Sequence, residues 1–426
     1  MRLKNTNSPW SWLPTLYFAE GIPYVVVMTI ALVFYHDIGL SNAEAVLYTS
    51  WLYLPWVIKP FWSPIVDIFK TKRWWIVMMQ TIIAVSLAGI ALTLNLPHYL
   101  QLTLAFFWLM AFSSATHDIA ADGFYMLALN ANQQSFYVGI RSTFYRIATV
   151  AAQGGLLVLV NTIQNEWHLG IEKSWTWIFI GVSILFLVLS LYHTAVLPLP
   201  VSDKTFRTTH QVTFRDFFTT IRTFFVKQNL VIVIAFLLLY RLPEALLVKV
   251  CPLFFLDDVA NGGLGLDKSE LGVVQGTIGV IGLLVGGILG GIAVSKVGLK
   301  KCLWPMAIAI SVPDALYVML AYWQSADIWV VSLAVFVEQL GYGFGFTAYM
   351  LYMIYVSRGN HQTSHYAFCT GFMALSMMIP GLFAGFLQEQ LGYAHFFIIV
   401  TLLTAFTFLS ISIIKIEDDY GKKTKK

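Results

Sequence analysis

Two acids and two arginines occur in neighbouring stretches of the chain that are otherwise strongly apolar. Asp118 and Asp122 are four residues apart, so they share one face of a helix. Arg141 and Arg146 follow in the next stretch, and a turn centred near residues 130–132 places two ion pairs at matched depth, Asp122 with Arg141 and Asp118 with Arg146. We predict that the first pair acts as a gate and that the second meets a proton or a substrate. The alternative is that both only lock the helix hairpin.

Three further acids, Glu20, Glu244 and Glu338, also lie inside apolar stretches. An ionisable side chain at the centre of a bilayer costs about 2.5–3.5 kcal/mol, so each one needs a partner or a watery cavity. We predict that these acids and Asp118 are the candidates for binding a translocated proton, with Asp118 ranked first. Arg241 is one helical turn from Glu244 and can pair with it.

Three cations are predicted to bind an anionic group of a substrate: Arg146, Arg241 and Lys249. Lys249 has no acidic neighbour in the sequence. Lys59 and Asp67 are predicted to form a gate latch, or alternatively to snorkel towards the membrane surface. The aromatic side chains that could stack on a sugar ring are Tyr24, Tyr145 and Tyr240.

The amino-acid composition indicates the environment in which these residues lie. Of 426 residues, 58% are hydrophobic and only 11% are charged, whereas about 25% of the residues of a soluble protein are charged. The mean hydropathy is +0.72. The chain is therefore predicted to be an all-α protein of the membrane, and its net charge of +4 is too small to indicate a nucleic-acid partner.

Twelve apolar stretches are long enough to cross roughly 30 Å of hydrocarbon. They are residues 11–36, 44–64, 74–95, 99–128, 136–160, 174–197, 228–256, 270–294, 301–322, 327–356, 363–388 and 392–415. Nineteen Lys and Arg residues lie on one side of these spans and two on the other, which predicts that both termini are cytoplasmic. Similar spacings between the acids of the two halves favour a duplication. We predict a six-helix bundle over 1–197, a linker over 198–227, and a second six-helix bundle with a basic tail over 228–426.

The sequence contains no phosphate-binding glycine loop, zinc-ligand spacing or nucleophile elbow. We therefore predict no enzymatic activity, no cofactor and no metal. The alternative from another class is a membrane acyltransferase, for which His117 beside Asp118 is the one pair that we would nominate. His117 by itself is more often a hydrogen-bonded structural residue than a proton relay.

Several short segments resemble the major facilitator superfamily and, within it, the AmpG-type muropeptide permeases and the related acetyl-CoA transporters. They are residues 17–23, 59–67, 117–124, 144–148, 240–245 and 336–339. The chain departs from the family pattern at His117, where Gln is usual, and from the superfamily loop motif at Ser63 and Ile68.

The resemblance implies a monomeric secondary transporter of the bacterial inner membrane. It implies uptake of a large anionic conjugate, an anhydro-muropeptide or related cell-wall sugar, driven by protons and by alternating access of two bundles. Acetyl-CoA and an oligosaccharide are the alternative substrates.

Overall fold

The computed structural model describes residues 8–68, 70–129, 131–199, 222–227, 229–358 and 362–422. Within these ranges the secondary structure is helical and contains no strand. Ten helical segments are long and apolar enough to cross a membrane.

Two details raise this number to the predicted twelve. The last segment, His365–Ile413, has 49 residues, about 74 Å of helix. It is divided at Gly392, whose φ of 70° is not helical, and so makes two spans. The second span is interrupted at residues 52–53, between Asn42–Trp51 and Leu54–Ile68. The twelve-span fold predicted from hydropathy is confirmed.

The other spans follow in order, the eleventh and twelfth lying within Gln362–Ile413. They are Pro9–Asp37, Lys72–Thr93, Tyr99–Ala128, Ala131–Thr149 continued by Leu156–Asn165, Ile171–Val196, Leu230–Leu256, Lys268–Val297, Leu299–Trp323 and Ile328–Ser357.

The chain divides into two compact units. The first contains Met1–Phe34 and Ile58–Phe218, and the second contains Tyr35–Val57 and Thr219–Lys426. Most of the predicted linker, residues 200–221, lies outside the described residues. The predicted domain boundaries stay a prediction.

In the first unit, the first and fifth spans approach closely at Gly21. A Cβ atom there would lie 2.8 Å from Cβ of Ala148 and 3.0 Å from the carbonyl oxygen of Tyr145. Only glycine allows this separation, so Glu20, the preceding residue, is held where the two spans meet. Edge-on packing of Trp12 against Phe124 joins the first span to the fourth.

In the second unit, glycines bring the eighth and tenth spans together. A Cβ on Gly286 would lie 2.0 Å from the carbonyl oxygen of Leu340, and one on Gly343 would lie 2.2 Å from that of Leu283. Small residues allow helices in a membrane to pack backbone against backbone. This contact accounts for the glycines of the tenth span, and it helps to bury Glu338, five residues before Gly343.

Candidate functional site

The predicted pair between Asp122 and Arg141 is present. Arg141 Nη2 lies 2.5 Å from Asp122 Oδ1, and the two side chains are 31% and 42% exposed for Arg141 and Asp122 respectively. The Arg141 guanidinium also lies over the ring of Tyr17, 4.5 Å from its centroid, and 5.5 Å from that of Tyr125. The turn geometry read from the sequence therefore predicted this contact correctly.

The predicted pairing of Asp118 with Arg146 is wrong. The ion pair of Asp118 is with Lys59 of the second span, at 3.8 Å. Among the described residues no carboxylate lies within 4.0 Å of the Arg146 guanidinium, which is partly exposed. Lys59 thus contacts the fourth span, while the side chain of its other predicted partner, Asp67, lies outside the described part of the structure.

Glu20, His117 and Asp118 converge beside this ion pair. One possible ligand atom of each lies within 4.8 Å of those of the other two. Glu20 and His117 are buried, and neither Oε2 of Glu20 nor Nδ1 of His117 has a hydrogen-bond partner. Two oxygen donors and one nitrogen could hold a metal ion, a possibility that the sequence pattern did not predict. The same three groups are also of the chemical types that can bind a proton.

Glu20 lies among other charged groups. Asp118, Asp122, Arg141 and Lys59 act electrostatically on its carboxyl group. Arg146 is a further cation nearby, since it acts together with Glu20 and Asp118 on Tyr145. A buried carboxylate oxygen without a hydrogen-bond partner is expensive, and a proton on Glu20 would remove that charge.

A row of polar residues extends from His117 through the first unit: Gln80 and His193, which are buried, and Thr15, which is partly buried. Nε2 of Gln80 lies 3.0 Å from Nε2 of His117, and Oε1 of Gln80 lies 2.9 Å from Nδ1 of His193. Nε2 of His193 lies 2.9 Å from the hydroxyl of Thr15. Sequence reasoning missed this chain of hydrogen bonds because its members come from four different spans.

The predicted aromatic candidates differ in their surroundings. Tyr24 and Tyr145 are partly buried and close enough to interact electrostatically. Tyr240 is only 1% exposed. Its hydroxyl donates to the carbonyl oxygen of Gly345 at 3.0 Å, and its ring stacks on Tyr349. The Tyr240 side chain therefore belongs to the core of the second unit.

Arg241 lies among aromatic rings. Its guanidinium is 4.7 Å from the ring centroid of Phe346 and 5.7 Å from that of Tyr349, and it donates to the hydroxyl of Tyr342. The expected pair with Glu244 is absent from the ion pairs of the described residues. Cation–π contacts with desolvated rings stabilise an arginine by about 2 kcal/mol or more, which explains how Arg241 is buried without an ion pair to Glu244, although it still acts electrostatically on that acid.

Three acids of the second unit are almost completely buried: Glu244, Asp314 and Glu338, at 5%, 1% and 2% exposure. They interact electrostatically with one another. Glu338 accepts hydrogen bonds from the Tyr317 hydroxyl at 3.2 Å and from Nε2 of Gln339 at 3.0 Å. Within the described ranges, no cation lies within 4.0 Å of any of these three carboxyl groups. We call them the second-unit acids.

Lys249, also in the second unit, is a buried cation. Its Nζ atom lies 3.4 Å from the Thr49 hydroxyl and 4.9 Å from the ring centroid of Tyr53. In the part of the chain that the structure describes, no carboxylate lies within 4.0 Å of it. This agrees with the sequence analysis, in which Lys249 has no acidic neighbour.

A further network joins loop ends in the second unit. Asp257 accepts hydrogen bonds from His36 at 2.7 Å, Asn42 at 2.9 Å and Tyr393 at 2.5 Å. Nearby in the sequence, Lys268 pairs with Asp37 at 2.8 Å. We call these six residues the loop-end network. No motif in the sequence indicated it, because its members are up to 357 positions apart.

Asp257 lies just beyond the seventh span, and its environment changes its acidity. Burial alone would raise the pKa of its carboxyl group, but the hydrogen bonds from His36, Tyr393 and Asn42 outweigh burial. The pKa of Asp257 is therefore lower than that of an ordinary aspartate. The charged form of Asp257 is the form that holds the loop-end network together.

The chain has twelve spans, and both of its units bury ionisable side chains. These two features define an integral membrane protein of the transporter class. The family model of the Major Facilitator Superfamily matches residues 15–254, more than half of the chain. The chain belongs to this superfamily.

Individual proteins at about 24% identity show which members of the superfamily the chain resembles. The chain is 24% identical over 402 residues to a transporter named AmpG 4 from Rickettsia conorii, covering 91% of this chain and 92% of that one. It is also 24% identical to the anhydromuropeptide permease of Escherichia coli K12, covering 90% and 75%. A solved D-xylose-proton symporter has the same fold, with a TM-score of 0.71 at 13% identity over 97% and 98% of the two chains.

Proposed function

We propose that the protein is a secondary active transporter that imports an anionic cell-wall sugar conjugate of the anhydromuropeptide type together with protons. The substrate class rests on the likeness to permeases of that name over about nine-tenths of the chain. The protein leaves its substrate chemically unchanged and works as a monomer in the bacterial inner membrane, with both termini in the cytoplasm.

The observation that carries the coupling is the buried carboxyl group of Glu20, which lies among other charged groups. Asp118, ranked first from the sequence, is matched by Lys59. Glu20 instead keeps a buried oxygen without a hydrogen-bond partner. We therefore propose that Glu20 takes up the coupling proton, and that Asp118 and Lys59 tune how tightly it is held.

The anionic character of the substrate is supported by two cations. Arg146 and Lys249 each have no carboxylate within 4.0 Å among the described residues. A carboxylate or phosphate of the substrate would supply the missing charge, and an arginine binds such groups through two parallel hydrogen bonds. Arg241, enclosed by aromatic rings, is a weaker candidate for direct contact.

Two sets of contacts are proposed to act as gates on opposite faces of the membrane. Asp122 with Arg141 holds the fourth and fifth spans on the face predicted to be cytoplasmic. The loop-end network lies on the face predicted to be extracytoplasmic, so its contacts must open when substrate enters from that side. Alternating access requires that the two sets of contacts break in turn.

Proteoliposomes containing the purified protein test this function. An imposed proton gradient should drive accumulation of an anhydromuropeptide, and acetyl-CoA or a neutral oligosaccharide should not compete at equal concentration. Recovered substrate should be unaltered. Accumulation that is indifferent to the gradient would refute proton coupling, competition by acetyl-CoA or the oligosaccharide would change the substrate class, and conversion of the substrate in detergent would indicate an enzyme.

A further inference from the structure

Gln80 links two buried histidines in the first unit, and a carboxamide has one donor end and one acceptor end. With its nitrogen towards His117 at 3.0 Å, Gln80 donates to Nε2 of His117, so the proton of that neutral imidazole is on Nδ1. The oxygen of Gln80 then accepts from Nδ1 of His193 at 2.9 Å. Nε2 of His193 is left to accept a hydrogen bond from the Thr15 hydroxyl.

A second arrangement uses the same atoms with every hydrogen bond reversed. When the Gln80 carboxamide turns over, its oxygen accepts from Nε2 of His117 and its nitrogen donates to Nδ1 of His193. His193 then donates from Nε2 to the Thr15 oxygen, and the Thr15 hydroxyl donates to the carbonyl oxygen of Trp12, 3.0 Å away. Both arrangements satisfy the polar groups of Gln80, His193 and Thr15, and each leaves only Nδ1 of His117 without a partner in the chain.

The protonation state of Glu20 determines which of the two hydrogen-bond arrangements is favoured. An ionised Glu20 can only accept, so it needs His117 to carry its proton on Nδ1, which is the first arrangement. A protonated Glu20 can donate, so it suits a His117 whose Nδ1 is an acceptor, which is the second. The Nδ1 atom of His117 and the Oε2 atom of Glu20 are both buried, and neither has a hydrogen-bond partner. Ligand atoms of the two side chains lie within 4.8 Å of each other, so their hydrogen bond forms only when the side chains move closer than they are here.

We propose that Glu20 and His117 together form a proton-binding site, and that Gln80, His193 and Thr15 are positioning residues that transmit its occupancy to the first turns of the first span. This inference rests on the proposed proton coupling. The proton crosses no amide bond in this scheme, because the carboxamide only rotates. Each neutral imidazole loses one N–H proton and gains one on its other nitrogen, so the one proton added to the site is the proton on Glu20.

Other charged and titratable groups face the site from the spans packed against it. Lys59 on the second span, Asp118 and Asp122 on the fourth, and Arg141 on the fifth act on Glu20. Tyr17 of the first span and Tyr145 of the fifth also face Glu20, and Arg146 acts on Tyr145. The facing group from the sixth span is His193, while the third span contributes the uncharged Gln80. A proton on Glu20 removes its buried charge while both histidines stay neutral.

Infrared difference spectroscopy of the full-length protein, with its histidine rings labelled with ¹⁵N, measures both events directly. In wild type, a carboxyl band that is lost in Glu20→Gln should titrate with the same midpoint as a change of histidine tautomer. His117→Gln should remove the His117 signal and uncouple His193. The matched control is His365→Gln, a buried histidine of the second unit that contacts Thr223 at 3.1 Å. This control should leave both titrations unchanged.

Two variants test the transmission. Gln80→Met should keep the carboxyl titration but shift its midpoint by up to about one pH unit, the effect of losing one hydrogen bond between neutral groups, and should abolish the His193 change. If that protein does not fold, Thr15→Val removes only the last hydroxyl and should alter the His193 signal alone.

Carboxyl titration without a tautomer change, or an unaltered His193 change in either variant, would overturn the proposal. So would the absence of any carboxyl titration assigned to Glu20, or stoichiometric binding of a divalent metal in its place. Gradient-driven accumulation is measured separately in proteoliposomes. A tautomer change without such accumulation would leave the relay standing and refute the proposed function alone.

Discussion

The two units bury acids in opposite ways. In the first unit, Glu20 lies among cations as well as acids, since Lys59, Arg141, Asp118 and Asp122 all act on it. In the second unit, the groups that act on Glu338 and Asp314 include neighbouring acids and, among the described residues, no cation, while Arg241 acts on Glu244 alone of the three. An isolated buried carboxyl group avoids its charge by remaining protonated. The surroundings of Glu20 suit a site that exchanges protons, and the surroundings of the second-unit acids suit a site that keeps them.

The largest expected effect comes from making the same change in both units. Glu20→Gln should reduce gradient-driven accumulation at least tenfold while leaving exchange at equal pH, because exchange needs no net proton movement. Glu338→Gln should change either rate by less than about threefold, since a carboxamide has the shape of a protonated carboxyl group and one buried group of similar polarity replaces another. Uptake of labelled substrate into proteoliposomes measures both.

Equal losses in the two variants would end the distinction between the units. A loss of accumulation in Glu338→Gln alone would move the coupling proton to the second unit. Normal folding of each variant should be checked first by its elution from a sizing column in detergent.

The next effect separates a cation that has a carboxylate partner from one that has no such partner within 4.0 Å among the described residues. Arg146→Lys should raise the apparent KM for an anionic substrate roughly tenfold, equivalent to about 1.4 kcal/mol, because lysine cannot make two parallel hydrogen bonds. Arg141→Lys is the matched control, since Arg141 already has Asp122 as its partner. Its KM should change by less than about threefold.

The informative ligand is the same substrate with its acid converted to an amide. Wild type should transport it poorly, and Arg146→Lys should transport it no worse than wild type. If wild type handles the amide as well as the acid, Arg146 does not recognise an anion and a neutral sugar becomes the better substrate class.

How far the sequence predicts this site depends on whether the partners are neighbours in the chain. Hydropathy and loop charges predicted twelve spans, and a single turn placed Asp122 beside Arg141. The same reasoning gave Asp118 the wrong partner. Its partner Lys59 lies on the second span, and the spacing of residues between the fourth and fifth spans contains no information about the second.

The Gln80 chain and the loop-end network were beyond sequence reasoning for the same reason. Gln80 and His193 are 113 positions apart, and no spacing rule connects residues on separate spans. Arg241 was assigned to Glu244 because they are one turn apart, yet Phe346, more than one hundred positions away, is its neighbour instead. Packing between helices, which the linear pattern does not specify, decides these contacts.

A smaller effect is expected at the gate between the fourth and fifth spans. Asp122→Asn and Arg141→Gln should each destabilise the protein by about 1 kcal/mol or less, since both side chains are about a third exposed and solvent screens the pair. The double variant should be more stable than the sum of the two losses predicts, because neither charge is left alone. Thermal unfolding in detergent measures this, and strictly additive losses would contradict a functional pairing.

The smallest effect concerns the pH dependence of the loop-end network. The pKa of Asp257 is lowered in the folded protein, so the unfolded chain binds the proton more readily. Its stabilising contribution is therefore complete above the ordinary aspartate pKa and is lost as the pH falls through the lowered value. Because Asp257 is only partly buried, the contribution is expected to be at most about 1 kcal/mol. Asp257→Asn should flatten the acid side of the stability profile by that amount.

The neighbouring residue provides the control for this prediction. Asp258 is exposed, and the hydrogen bonds recorded for it use its backbone carbonyl oxygen, so Asp258→Asn should leave the acid side of the profile unchanged. A profile that flattens equally in both variants would reflect overall charge and not the network. If Asp257→Asn also speeds substrate entry from the face predicted to be extracytoplasmic, the network restrains opening there. An unchanged entry rate together with a flattened profile would mean that Asp257 stabilises the fold without gating it.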